Sequence, residues 1–193
     1  MGMTSGLHER AMTTSLPEGD DSRAVLGQGL RGKAGGRVRA VFDWRRPRHW
    51  IAYGLGSGLS PWAPGTAGTL AAIPLYLLLH PLALGWYLLV LLGLFLVGLW
   101  ACGKTARELD AHDPAPIVWD EVLGYLVTMT GAPSGWSWVL AGFALFRLFD
   151  IWKPWPIHVL DAKVEGGLGV ILDDLLAGLL AWAALQGLVL VLG

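Results

Sequence analysis

The residues with the greatest chemical capacity lie in 146–157, F-R-L-F-D-I-W-K-P-W-P-I, at the end of an apolar run. Arg147, Asp150 and Lys153 recur there at three-residue spacing, which sets three charges roughly on one face of a helix. Ionisable groups on an otherwise apolar helix cost about 2.5–3.5 kcal/mol each at a bilayer centre, so they point to function. The structural alternative is an Arg147–Asp150 ion pair at a membrane interface, with Lys153 extending to water. Two further pairs of acids, Asp120-Glu121 and Asp173-Asp174, each precede an apolar run. Five carboxylates meeting a few cations suit a hard cation such as Mg²⁺, which takes one or two carboxylates plus water and phosphate oxygens. The competing reading is that the acids favour helix N-termini through the macrodipole, a gain of about 0.3–1 kcal/mol each. Neighbours on a helix point about 100° apart, so one member of each pair is expected to face a shared ion. The residues themselves suggest Asp120, Asp150 and Asp173 as direct ligands, with Glu121 and Asp174 behind them or serving as base. His112 and Asp113 read as loop residues held in reserve.

The elements that must position these groups read as membrane helices. The chain of 193 residues is 54% hydrophobic and only 15% charged, where about 25% charge is usual for a soluble domain. A net charge of −1 argues against a nucleic-acid partner. Seven basic residues stand against Asp43 between Arg31 and Arg48, and no Lys, Arg, Asp or Glu occurs from His49 to Gly103. Residues 1–48 read as a disordered basic extension without a secretory signal, which keeps the N-terminus in the cytoplasm. The single cysteine, Cys102, excludes an internal disulfide.

Residues 49–69 carry five glycines with Pro61 and Pro64, the composition of a broken, closely packed loop. Such a loop lets backbone N–H groups approach an anion, and Thr66 or Thr69 could cap the helix that follows. The expected crossings are 70–79, 82–103, a dip through 122–132, a return through 136–149, and 175–192. This count brings the basic cluster, Lys104, Arg107, Arg147, Lys153 and Lys163 to the cytoplasmic face together with the glycine-rich loop and the acids.

Four segments in order, G-S-G-L-S-P-W-A-P-G-T-A-G-T (56–69), I-V-W-D-E-V-L-G (117–124), 146–157 and G-G-L-G-V-I-L-D-D-L-L-A-G (166–178), closely resemble the bacterial phosphatidylglycerophosphatase A family. The resemblance runs from about His49 to the C-terminus. It implies an all-α fold, a central helix surrounded by others, and a Mg²⁺-dependent phosphatase that converts phosphatidylglycerophosphate to phosphatidylglycerol. It places the protein in the bacterial inner membrane as a multi-pass enzyme with its site facing the cytoplasm, membrane lipid about it, and no obligatory protein partner. On this reading Asp120, Glu121, Asp150 and Asp173 hold the metal, and Asp150, Arg147, Lys153 and Asp174 serve catalysis. Gly65, Thr66 and Thr69 offer N–H and hydroxyl donors to the phosphate. Attack by water in line is the default mechanism, with Asp150 as an aspartyl nucleophile the alternative. Two other classes are weaker: a CDP-alcohol phosphotransferase needs an Asp-Gly before Ala106-Arg107, and a transporter needs acids in mid-span.

Overall fold

The computed structural model describes residues 42–109, 115–155, 157 and 166–192. Most of the basic extension, His112, Asp113 and Lys163 lie outside the described residues. Within them the fold is all-α, with no strand. Six α-helices follow in order: α1 Pro47–Ala52, α2 Pro64–Leu79, α3 Leu84–Leu109, α4 Trp119–Thr128, α5 Trp136–Trp152 and α6 Gly166–Leu192, with a 3-10 turn at Gly54–Leu59 between α1 and α2.

The short helix α4 is the centre. It packs against α2, α3, α5 and α6, and Leu123, Tyr125 and Leu126 on it are wholly buried. Its polar atoms are tied to its neighbours: Trp119 Nε1 donates to the Leu94 carbonyl at 3.2 Å and Tyr125 Oη to that of Val139 at 3.1 Å. Tyr87 Oη of α3 donates in turn to the Leu126 carbonyl at 2.7 Å. Two glycines, one on α4 and one on α6, set the closest crossing. A Cβ on Gly124 would come 2.7 Å from the Asp174 carbonyl, and one on Gly178 would meet the Gly124 backbone. Small residues let helices approach this closely where apolar burial alone gives no preference among neighbours. Thr128, one turn beyond Gly124, locks the crossing by donating to the Gly124 and Gly178 carbonyls at 2.9 and 3.3 Å.

Several boundaries differ from the sequence reading. The described residues begin at Phe42, which stacks edge-on against Trp50 and Tyr53, so 42–48 pack onto the helical fold. Helix α2 starts at Pro64, not at 70. Ala63 adopts a left-handed conformation (φ 44°) and Pro64 supplies a preset φ at the first helical position. Gly65, Thr66 and Thr69 therefore lie inside the helix, and neither threonine caps it: the N-cap is Ala63, with no side-chain cap. Thr69 Oγ1 instead donates to the Gly65 carbonyl at 2.9 Å. Helix α6 begins at Gly166, so Asp173 and Asp174 stand two turns inside it rather than at its start. Helix α5 ends at Trp152 before Pro154, as expected from the proline.

Among the described residues, two helices, Leu84–Leu109 and Leu168–Leu192, are long and apolar enough to cross a membrane. Pro64–Leu79 is shorter, and α4, walled by protein, is a packed core helix instead of the expected dip through 122–132.

Candidate active site

The acids converge one turn from the Gly124–Gly178 crossing. Asp120 is four residues before Gly124 and Asp174 four before Gly178, so each acid shares a helix face with the glycine at the contact. Asp120, Glu121 and Asp174 each present a carboxylate oxygen, and these three atoms lie within 4.8 Å of one another. Asp120 and Asp174 are buried, at 6% and 4% exposure. Asp120 Oδ1 and Glu121 Oε2 are buried with no hydrogen-bond partner. Orphaned buried carboxylate oxygens are costly unless a cation or proton compensates them. Burial raises the Asp120 carboxyl well above its usual range, and the neighbouring Glu121 and Asp174 charges add to the shift. Burial likewise pushes Glu121 up to about 7, with Asp150 contributing repulsion.

Asp150 and Arg147 close one side of this triad. Arg147 Nη1 donates to Asp150 Oδ2, the ion pair expected of the i, i+3 spacing. Asp150 lies within electrostatic reach of Glu121 and Asp174. The guanidinium keeps donor capacity, because Arg147 Nε is buried without a partner. The N-terminal turn of α2 closes another side. A Cβ on Gly65 would overlap Glu121 Oε1 and come 3.1 Å from Arg147 Nη1, so only glycine lets the helix start approach both groups. The unpaired N–H groups of that turn favour an anion nearby.

Lys153 and Asp173 form a separate arm. Lys153 caps α5 in a left-handed conformation (φ 42°), and its Nζ donates to Asp173 Oδ2 at 2.6 Å. The expected ligand set Asp120, Asp150 and Asp173 is thus split: the structure gathers Asp120 and Glu121 with Asp174 and sets Asp150 against them. Asp173 turns to Lys153. The signal for this was in the sequence. An acid four residues before a glycine occurs at 120/124 and at 174/178, and it picks Asp174 over Asp173 as the residue facing α4. Both members of the Asp120-Glu121 pair reach the cluster, against the one-per-pair expectation, because they sit in the first turn of α4 with Gly65 drawn in above them.

Three clustered carboxylates, with Asp120 Oδ1 and Glu121 Oε2 buried and lacking any donor, fit a divalent cation with oxygen preference. An Arg and a helix N-terminus beside them fit a phosphate. The profile of the phosphatidylglycerophosphatase A family matches residues 50–189. The phosphatidylglycerophosphatase A of Escherichia coli (strain K12) is 46% identical over 136 residues, 70% of this chain and 79% of that protein. That of Haemophilus influenzae is 45% identical over 137 residues, 70% of this chain and 84% of that protein. A Bacteroides thetaiotaomicron protein provisionally named a phosphatidylinositol-3-phosphatase is 44% identical over 136 residues, covering 66% of this chain and 84% of its own length. No solved structure matches the chain.

Proposed function

The chain belongs to the phosphatidylglycerophosphatase A family and is a phosphatase, and from that premise we propose that it hydrolyses phosphatidylglycerophosphate in a Mg²⁺-dependent reaction at the cytoplasmic face of the inner membrane. The observation that carries this reading is the Asp120–Glu121–Asp174 triad with its two orphaned oxygens, set against Arg147 and the start of α2. Asp120, Glu121 and Asp174 would hold the cation. When bound, Mg²⁺ supplies charge compensation for a phosphoryl oxygen and acidifies bound water.

The chain's own groups supply the rest. Arg147 offers guanidinium N–H donors to the equatorial phosphoryl oxygens, where a planar fork can bind two at once. Asp150 holds that guanidinium in place and sits at the edge of the triad, placed to accept the proton of the attacking water. The water–phosphorus bond forms as the ester bond to the lipid breaks, and the departing oxygen takes up a proton. The N–H groups that open α2 offset further negative charge on the phosphate. Lys153 engages Asp173, which fixes the end of α5 to α6 and so positions Asp150 and Arg147 one and two turns earlier.

The membrane reading rests on α3 and α6. Only 17% and 22% of their apolar windows are buried in the protein, so these helices turn most of their hydrophobic surface outward, unlike core helices of a soluble domain. In α6 the stretch beyond Asp174 supplies 18 further residues, about 27 Å of helix, close to the thickness of a bilayer core. The acids then stand at the membrane boundary, where a lipid headgroup lies.

The test is phosphate release by the purified protein from phosphatidylglycerophosphate, phosphatidic acid and a phosphatidylinositol phosphate, with Mg²⁺ or with excess chelator. Release from phosphatidylglycerophosphate foremost, abolished by chelator and restored by Mg²⁺, is the expected result. Equal release in chelator would remove the metal from the account, and a preference for the inositol lipid would reassign the substrate.

A further inference from the structure

A concavity lies along α2 and α4, and it is lined by apolar residues. This pocket of about 340 Å³ is walled by Ala71, Leu75 and Leu78 of α2, faced by Leu94 of α3 and floored by Trp119 and Val122 of α4. Its volume falls within the range of small-ligand sites, about 300–1,000 Å³. The pocket and the acid site share helix α4: Trp119 and Val122 lie one turn apart on one face of it, with Asp120 and Glu121 between them in sequence. Leu55 stands at the rim. It is 71% exposed and held at φ 56°, a left-handed conformation seldom adopted by a branched apolar residue. Backbone conformations of this kind persist where the surrounding structure imposes them, and they cluster at ligand clamps.

Two helices measure the depth of the pocket independently. Along α2, Gly65 touches the site, and Ala71 to Leu78 lie about 9 to 20 Å further down the helix at 1.5 Å per residue. Along α3, Cys102 lies within electrostatic reach of Glu121, and Leu94 is about 12 Å beyond it. Both measures put the pocket roughly one headgroup length on the apolar side of the acids. The opposite direction along α3 leads to Lys104 and Arg107.

We propose that this pocket seats one acyl chain of the lipid whose phosphate the triad holds, an inference that rests on the lipid-phosphatase reading above. The carboxylates and Arg147 take the phosphate end, and the pocket takes the upper methylenes of a chain entering past Leu55. An alkyl chain fits the predominantly apolar lining, the position beneath a phosphate-sized anion site and the opening on the outward face of α2, where Leu78 is 73% exposed. The enzyme thereby recognises its substrate as a lipid and not merely as a phosphomonoester.

Two measurements on the full chain in nanodiscs test this. In the first, phosphatidylglycerophosphate bearing a diazirine on one acyl chain is photolysed on the wild-type protein and the labelled residues are mapped. Label on Leu75, Leu78 or Leu94, displaced by unlabelled lipid phosphomonoester and not by phosphatidylcholine, is expected. Label spread over the outer faces of α3 and α6, or displaced equally by phosphatidylcholine, would overturn the proposal. In the second, Ala71→Trp fills the pocket. Its kcat/KM on the dioleoyl lipid should fall about tenfold, the scale of withdrawing two or three methylenes from an apolar site. Its kcat/KM on the deacylated headgroup phosphomonoester should stay within about twofold of wild type, since the two sites are separate. A parallel fall on both substrates, or no fall on the lipid, would count against the acyl seat. Competed label at the pocket with no phosphate release from any substrate would sink the phosphatase reading and leave the seat standing.

Discussion

Two charge clusters are built on opposite terms in this molecule. One joins the start of the domain to the end of α3: Glu108 accepts from Arg46, Arg48 and His49, while Asp43 accepts from the Arg45 N–H and from Arg46. Every carboxylate oxygen there has a donor, and His49 is fixed on both sides, with the Asp43 N–H on Nδ1 and Glu108 on Nε2, each at 2.9 Å. The other cluster sets five carboxylates, Asp120, Glu121, Asp150, Asp173 and Asp174, against Arg147 and Lys153, and leaves Asp120 Oδ1 and Glu121 Oε2 buried without donors. A cluster whose acid oxygens all have donors ties chain segments together. An over-acidic, buried and undersatisfied one is stable only with a proton or a cation, which is the signature of a site.

The largest contrast between them should come from isosteric neutralisation. Asp120→Asn and Asp174→Asn should each lower phosphatase activity by more than about 100-fold, beyond the 10–100-fold usual for groups that only orient a metal ligand. The same variants should melt no lower than wild type without divalent cation, because each removes buried like-charge repulsion. Phosphate release and thermal unfolding of the same preparations check both statements, and equal activity loss with a lowered melting temperature would make the acids structural.

Gly65→Ala comes next. Its Cβ displaces Glu121 Oε1, so activity should fall about 10- to 100-fold, the cost of misplacing a catalytic group by about an ångström. Stability should move by no more than about 1 kcal/mol, since alanine favours the helix by a similar amount. Normal activity in this variant would detach the start of α2 from the site.

The clusters should also titrate in opposite directions. Asp120 and Glu121 are raised on folding by burial, so their contribution to stability is present below their unfolded pKa values and lost as pH rises through the raised ones, about 7 for Glu121. Metal-free protein should therefore melt lower at about pH 8 than at about pH 6, and Mg²⁺ should narrow that gap by occupying the deprotonated site. Asp43 is lowered, first by the Arg45 N–H, so its contribution is present above its unfolded pKa and lost as pH falls through the lowered value. Melting curves across pH, with and without Mg²⁺, read both signs.

The smallest functional effect belongs to Glu108→Gln. Activity should stay within about twofold of wild type, since Glu108 shares no hydrogen-bond partner with the acid triad. The melting temperature should drop modestly, each exposed ion pair contributing about 0.2–1 kcal/mol. A large activity loss would erase the distinction between the clusters.

Much of this architecture was legible in the sequence. Apolar run lengths gave α3, α5 and α6, and the prolines marked where α5 stops. The acids declared themselves by standing in otherwise apolar surroundings. Three things were hidden. Helix α4 reads as a short span because a core helix and a membrane helix share the same apolar lettering, and only its enclosure by four neighbours tells them apart. The stretch 161–169 reads as a polar, glycine-rich connection, yet 166–169 belong to α6, whose packing outweighs the local cost of glycine in a helix. The choice of Asp174 over Asp173 depends on which face of α6 meets α4. That face is set by Gly178, whose importance appears only beside Gly124.

The central claim is that Asp120, Glu121 and Asp174 together hold a divalent cation. Binding of Mn²⁺ to the purified protein, followed by loss of the free-ion electron paramagnetic resonance signal and competed with Mg²⁺, tests it without reference to turnover. Saturable binding in wild type and in Glu108→Gln, abolished in Asp174→Asn, is the result this structure predicts. Undiminished binding in Asp174→Asn would contradict it.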